Sequence, residues 1–132
     1  MKTEILRWPV YIKDNRNENV QYELIVFECG TCAIFNRSSY VAAHPDPASR
    51  LFGVVVEGDR NDMIRAHLQL CGMVDFEIME LARDSAKRKL SRVERRWLDD
   101  RCQKWVRHWL EQNCPEQISH SSTPRPALGQ PR

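Results

Sequence analysis

The sequence predicts an α+β fold: a small antiparallel sheet of about four strands from the first half, covered on one face by two or three helices from the second half. Three observations point to it. Up to Gly58 the apolar residues fall in short β-branched and aromatic runs divided by turn residues. From Val74 to Asn113 there is no glycine and no proline, and apolar residues recur at i+3 and i+4. The chain has 132 residues, 42% hydrophobic and 29% charged, which suits one domain with one modest core.

Glu4 to Lys13 (EILRWPVYIK) is β-rich. Pro9 has no N–H to give a neighbour, so this is an edge strand or a bulged one. Asp14 to Asn19 (DNRNEN) is a turn by composition. Val20 to Glu28 (VQYELIVFE) is the strongest strand: Tyr22, Leu24 and Val26 point one way, Ile25 and Phe27 the other. Apolar residues on both faces predict a central position. Cys32 to Asn36 (CAIFN) returns as a hairpin partner, turned at Gly30. Asn36 to Arg50 reads as a long loop with two prolines, and Leu51 to Gly58 (LFGVVVEG) as a further buried strand.

Beyond it, Asp59 or Asn61 caps a short helix. Met63, Ile64, His67, Leu68 and Cys71 share one side of that helix, and Gly72 ends it in the left-handed conformation. This makes His67 a core histidine. Met79, Ala82, Ala86, Leu90, Val93 and Trp97 then form an unbroken row that one long helix would satisfy. However, Ser91 to Glu94 (SRVE) has the form of a capping box, in which serine and glutamate satisfy each other's free backbone donors. Two helices broken near Ser91 are the preferred reading. The stretch from Pro115 to Arg132 holds four of the seven prolines and almost no large apolar residue. It buries too little to offset its ordering entropy. The expected organisation is one domain over residues 1–114 and a flexible tail over 115–132.

The net charge of +2 is unevenly distributed: residues 1–82 carry eight Lys/Arg and twelve Asp/Glu, residues 83–114 ten and five. Such a division arises from an anionic partner, or from two parts of one fold attracting each other. The basic part contains RRWLDDRCQKWVRHWL, Arg95 to Leu110. Leu98, Cys102, Trp105 and Trp109, with Val106 beside them, form an apolar stripe for the core. A second row holds Trp97, Arg101, Lys104 and His108, with Arg96 and Arg107 on the same side. An indole among cations stacks on a base while the cations neutralise phosphates. The ordinary alternative is that Trp97 closes the core row and the cations are solvated, partly balanced by Asp99 and Asp100. The candidate contact residues are Lys87, Arg88, Arg96, Trp97, Arg101, Lys104, Arg107 and His108.

Cys29, Cys32, Cys71, Cys102 and Cys114 are odd in number and irregular in spacing. The start, MKTEILRWPV, has no apolar signal region, and no run is long enough to span a membrane. Reduced thiols in the cytoplasm, without a membrane partner, are the expectation. Cys29 and Cys32 form a C-x-x-C pair, with His44 as a third zinc ligand, but a structural zinc site takes four and no fourth is evident. A redox pair would open a helix after a strand, whereas β-rich sequence flanks this one. His44 precedes Asp46 by two residues, as in a general base, but no nucleophile or phosphate-cradling loop accompanies it. The expectation is therefore a non-enzymatic binding protein without a required cofactor. It would engage nucleic acid or a nucleoprotein complex through the basic tryptophan helix. The alternative is a protein-interaction module, an inhibitor or adaptor of the kind mobile genetic elements carry, without nucleic-acid contact. Homodimerisation through the long helix stays open.

Overall fold

A computed structural model of the chain describes residues 3–43 and 67–118. Their elements are β1 (Glu4–Lys13), β2 (Asn19–Phe27), β3 (Thr31–Asn36), α1 (Arg37–Ala43), β4 (Leu68–Met73), α2 (Phe76–Lys87), α3 (Arg92–Asn113) and a 3-10 turn (Pro115–Gln117). The strands form one antiparallel sheet in the order β1-β2-β3-β4. The architecture is α+β. The expected strand over 51–58 and the His44 loop lie outside the described residues.

β1 is an edge strand with an irregularity between Glu4 and Leu6, and Pro9 sits opposite Glu23. Its outer edge is not left bare. The Gln103 side chain on α3 accepts from the Tyr11 N–H at 2.7 Å and donates to the Tyr11 carbonyl at 3.0 Å, as a neighbouring strand would. The following turn is held by the Asp14 carboxylate, which accepts from the N–H groups of Arg16 (2.8 Å) and Glu18 (2.9 Å). The β2–β3 hairpin turns at Gly30, whose φ of 97° is strained for any side-chain-bearing residue.

β2 is central and buried on both faces. Tyr22, Leu24 and Val26 join the main core with Cys32 and Ile34; Ile25 and Phe27 join a second cluster with Ala33, Phe35 and Tyr40. The same strand carries the buried carboxylate Glu23, 5% exposed, which accepts from Arg37 at 2.8 Å and Arg7 at 3.1 Å. Two cations satisfy a charge that burial alone would penalise.

The structure corrects two sequence expectations. Residues 37–43, read as loop, form α1: Asn36 Oδ1 accepts from the Ser39 N–H at 3.0 Å, and Tyr40 fills the second cluster. Residues 68–73, read as the end of a helix, form β4, paired with β3 from Leu68↔Phe35 to Met73↔Thr31. Gly72 does adopt a positive φ, 80°, but at a bulge opposite Cys32 and not at a helix end.

The break at Ser91 is present. Its Oγ accepts from the Glu94 N–H at 3.1 Å, and Glu94 Oε1 accepts from the Ser91 N–H at 2.8 Å. α2 begins at the Asp75 cap, which accepts from the Glu77 N–H at 2.7 Å. Ile78, Met79 and Ala82 of α2 meet Leu98, Cys102, Val106 and Leu110 of α3 on the sheet, with Leu90 between the helices. Trp105 and Trp109 flank this row, half-buried against the core. The fold continues past the expected boundary at residue 114: Ile118 is 1% exposed within the main core, reached through the 3-10 turn. No helix among the described residues is long and apolar enough to cross a membrane.

Candidate polyanion site at the helix elbow

The outer row of α3 is engaged in the chain's own ion pairs. Arg101 lies over the Trp97 ring, 4.7 Å from its centroid, while its guanidinium pairs with Glu77 and, at 3.9 Å, with Asp75. It therefore ties α3 to the first turn of α2. Lys104 pairs with Asp100 at 3.1 Å and Arg107 with Glu111 at 3.5 Å, both within α3. His108 is exposed. Trp97 is 38% exposed and stands in a groove of about 550 Å³ between α2 and α3, with Leu81 and Val93.

The link between α2 and α3 is different. From Lys87 to Arg96 there are six cations and one acid. That acid, Glu94, is committed: besides the cap it accepts from both terminal nitrogens of Arg88, at 2.9 and 2.7 Å. The Arg88 guanidinium, with the cap N–H groups, lowers the Glu94 carboxyl to about 2. Arg88 also reaches Asp84 at 3.3 Å. Lys87, Lys89, Arg92, Arg95 and Arg96 are exposed, and among the described residues none has a carboxylate within ion-pair distance.

This excess follows from local structure. The helix break, set by Ser91 and Glu94, brings the last residues of α2 and the first turns of α3 into one convex corner. Leu90 anchors the corner in the core and turns its basic neighbours outward. Arg88, Lys89, Leu90, Ser91, Arg92 and Arg95 line an open groove of about 610 Å³. Arg95 stacks on Trp8 of β1, 5.2 Å from the ring centroid, and Trp8 donates its indole N–H to Asp99 at 2.8 Å. The corner is thus fixed to the sheet edge by packing, with its charge left over. Because Glu94 caps the N-terminus of α3, an anion here would be held by side chains and not by the helix end.

Of the sequence candidates, Lys87, Arg88 and Arg96 fall at the corner, and Trp97, Arg101, Lys104, Arg107 and His108 run away from it along α3. Lys89, Arg92 and Arg95 were within the basic stretch but not singled out. The signal that finds Lys89 and Arg92 is subtraction, since neither has an acid at i±3 or i±4; Arg95 has Asp99 at i+4, but that carboxylate accepts from the Trp8 indole.

The cysteine pair does not converge. Cys29 is exposed at the hairpin, 3.1 Å from the Thr31 hydroxyl, and Cys32 is buried in the main core. Among the described residues no three His, Cys, Asp or Glu side chains group as metal ligands. The neighbouring Cys32 thiol, and then burial, push the Cys71 thiol above its ordinary range; burial pushes Cys102 up to about 12. Both are held as thiols, the less reactive form.

Comparison with known protein families, with curated proteins and with solved structures gave no match.

Proposed function

We propose that this chain is a small, non-enzymatic binding protein of the cytoplasm that holds nucleic acid, or a nucleoprotein complex, on the α2–α3 elbow. The observation that carries the reading is the set of five exposed cations that have no acidic partner among the described residues, Lys87, Lys89, Arg92, Arg95 and Arg96, gathered beside Arg88 at one corner. Concentrated like charge is costly unless an anion neutralises it. Contact would release counterions from phosphates and read bases little. Trp97 and the paired cations Arg101, Lys104 and Arg107 would border a longer ligand, with His108.

The test is fluorescence anisotropy of labelled generic DNA and RNA, single- and double-stranded, titrated with pure protein at low and near-physiological salt. Tight, salt-sensitive binding is expected. Absence of binding at low salt overturns the reading.

A second reading, a protein-interaction module such as an inhibitor or adaptor, is favoured by the groove beside the elbow. There Val93 is 77% exposed next to Trp97. Burial of these side chains in a complex would give a salt-insensitive affinity that Val93→Glu abolishes. A homodimer formed the same way would dissociate with that substitution in sedimentation.

A further inference from the structure

A cavity of about 140 Å³ lies where the sheet, α1 and the 3-10 turn meet, remote in sequence from the elbow. Polar side chains converge on it from across the chain: Tyr22, Asn36, Ser39, His67, Gln69 and Gln117, over the apolar Ile34. Among the described residues no Lys, Arg, Asp or Glu lines it, and His67 is its one imidazole.

Tyr22 is 2% exposed, and among the described residues its hydroxyl has no hydrogen-bond partner. Burial, with the nearby Cys114 thiol, pushes this phenol up to about 12, so it is a neutral donor at physiological pH. Two amides are oriented by bonds to their oxygens. Gln69 Oε1 accepts from the Cys114 thiol at 3.4 Å, and Asn36 Oδ1 accepts from the Ser39 N–H at 3.0 Å. Each is left with its NH₂ group to donate. The His67 ring meets Tyr40 edge-on, 5.7 Å between centroids, which anchors one wall to the second core cluster.

The buried Tyr22 hydroxyl, without a hydrogen-bond partner among the described residues and facing a polar wall, calls for a polar guest. We propose that this cavity binds a small uncharged molecule with an amide-type edge, on the scale of one pyrimidine ring. Asn and Gln pair with amide edges through matched donors and acceptors, and the tyrosine hydroxyl adds a donor for a carbonyl oxygen. Ile34 meets the ring face. At about 140 Å³ the space is well below the roughly 300 Å³ at which drug-sized sites begin, so a single ring fits and a nucleotide does not. The site does not depend on the elbow.

The experiment is a ¹H–¹⁵N titration of the full chain with uracil, using toluene and benzoate as apolar and anionic controls of similar size. Uracil alone is expected to shift the side-chain NH₂ resonances of Asn36, Gln69 and Gln117 saturably. Tyr22→Phe is expected to weaken uracil about threefold to tenfold, the loss of one hydrogen bond. Gln69→Leu, on an edge strand, is expected to do the same and serves if Tyr22→Phe fails to fold. Unmoved NH₂ resonances at the solubility limit of uracil overturn the proposal, as do equal shifts from toluene. A Tyr22→Phe protein that melts higher and responds to uracil unchanged also overturns it, since the cavity is then an ordinary water-filled space.

Discussion

Replacing Lys89 and Arg92 by alanine isolates charge that has no acidic partner among the described residues. If each of the five elbow cations neutralises one duplex phosphate, log K falls against log salt with a slope of about −4.5, from about −0.9 per contact. Affinity then drops about 500-fold between about 50 and about 200 mM salt. Lys89→Ala/Arg92→Ala removes two contacts, so the slope flattens to about −2.7 and affinity near 0.1 M falls about 60-fold. The matched control is Asp100→Ala/Lys104→Ala, which deletes an exposed ion pair without changing net charge. Its slope and affinity should stay within about twofold of the parent, because an exposed pair is worth about 0–1 kcal/mol and that lysine is already neutralised. Anisotropy of a labelled duplex across a salt series reads all three proteins. Equal losses in the control and the elbow variant would refute the reasoning that internal pairing withholds cations from a ligand.

Other outcomes follow from the same geometry. Ser91→Ala removes the N-cap of α3 and should cost about 1 kcal/mol in denaturant unfolding, with loss of helicity confined to the elbow. Glu94 titrates lower in the folded chain than in the unfolded one, so its contribution is complete above the ordinary carboxylate range and is lost as pH falls toward about 2. Over that window the melting temperature of Glu94→Gln should fall less than that of the parent. Leu98→Ala, at a fully buried site, should cost about 2–5 kcal/mol, whereas Val93→Ala, 77% exposed, should change stability little in the same denaturant series. Tyr22 should ionise above the ordinary phenol range, at about 12. Because its folded pKa is raised, the associated stability is intact below the ordinary phenol range and is lost as pH climbs toward 12; ultraviolet absorbance at alkaline pH checks it.

The parts of the fold legible in the sequence are those set by near neighbours. The alternation in β2 placed Tyr22 and Ile25 on opposite faces, Gly30 marked the hairpin, and Ser91 with Glu94 marked the helix break. β4 was misread because an edge strand with a bulge at Gly72 shows no clean alternation. The i+4 spacing of Met63, His67 and Cys71 imitated a helix, and pairing with β3, such as Gln69 with Ile34, decided the matter. α1 is seven residues long, too short for a periodic signal, and rests on one asparagine cap and Tyr40. Excess positive charge in the second half was visible at once. Which cations remain unpaired was not, because Arg101 finds its acids on another helix and Arg88 reaches Glu94 across the break. The polar cavity had no local signature, since its walls come from residues as far apart as Tyr22 and Gln117.

The most direct test of the central claim is a ¹H–¹⁵N footprint of the full chain with a short duplex at low salt. The account predicts the largest shifts at the backbone amides from Lys87 to Arg96 and at the indole N–H of Trp8 beneath Arg95. Shifts centred on Lys104 to His108 instead, or no shifts at all, would contradict it.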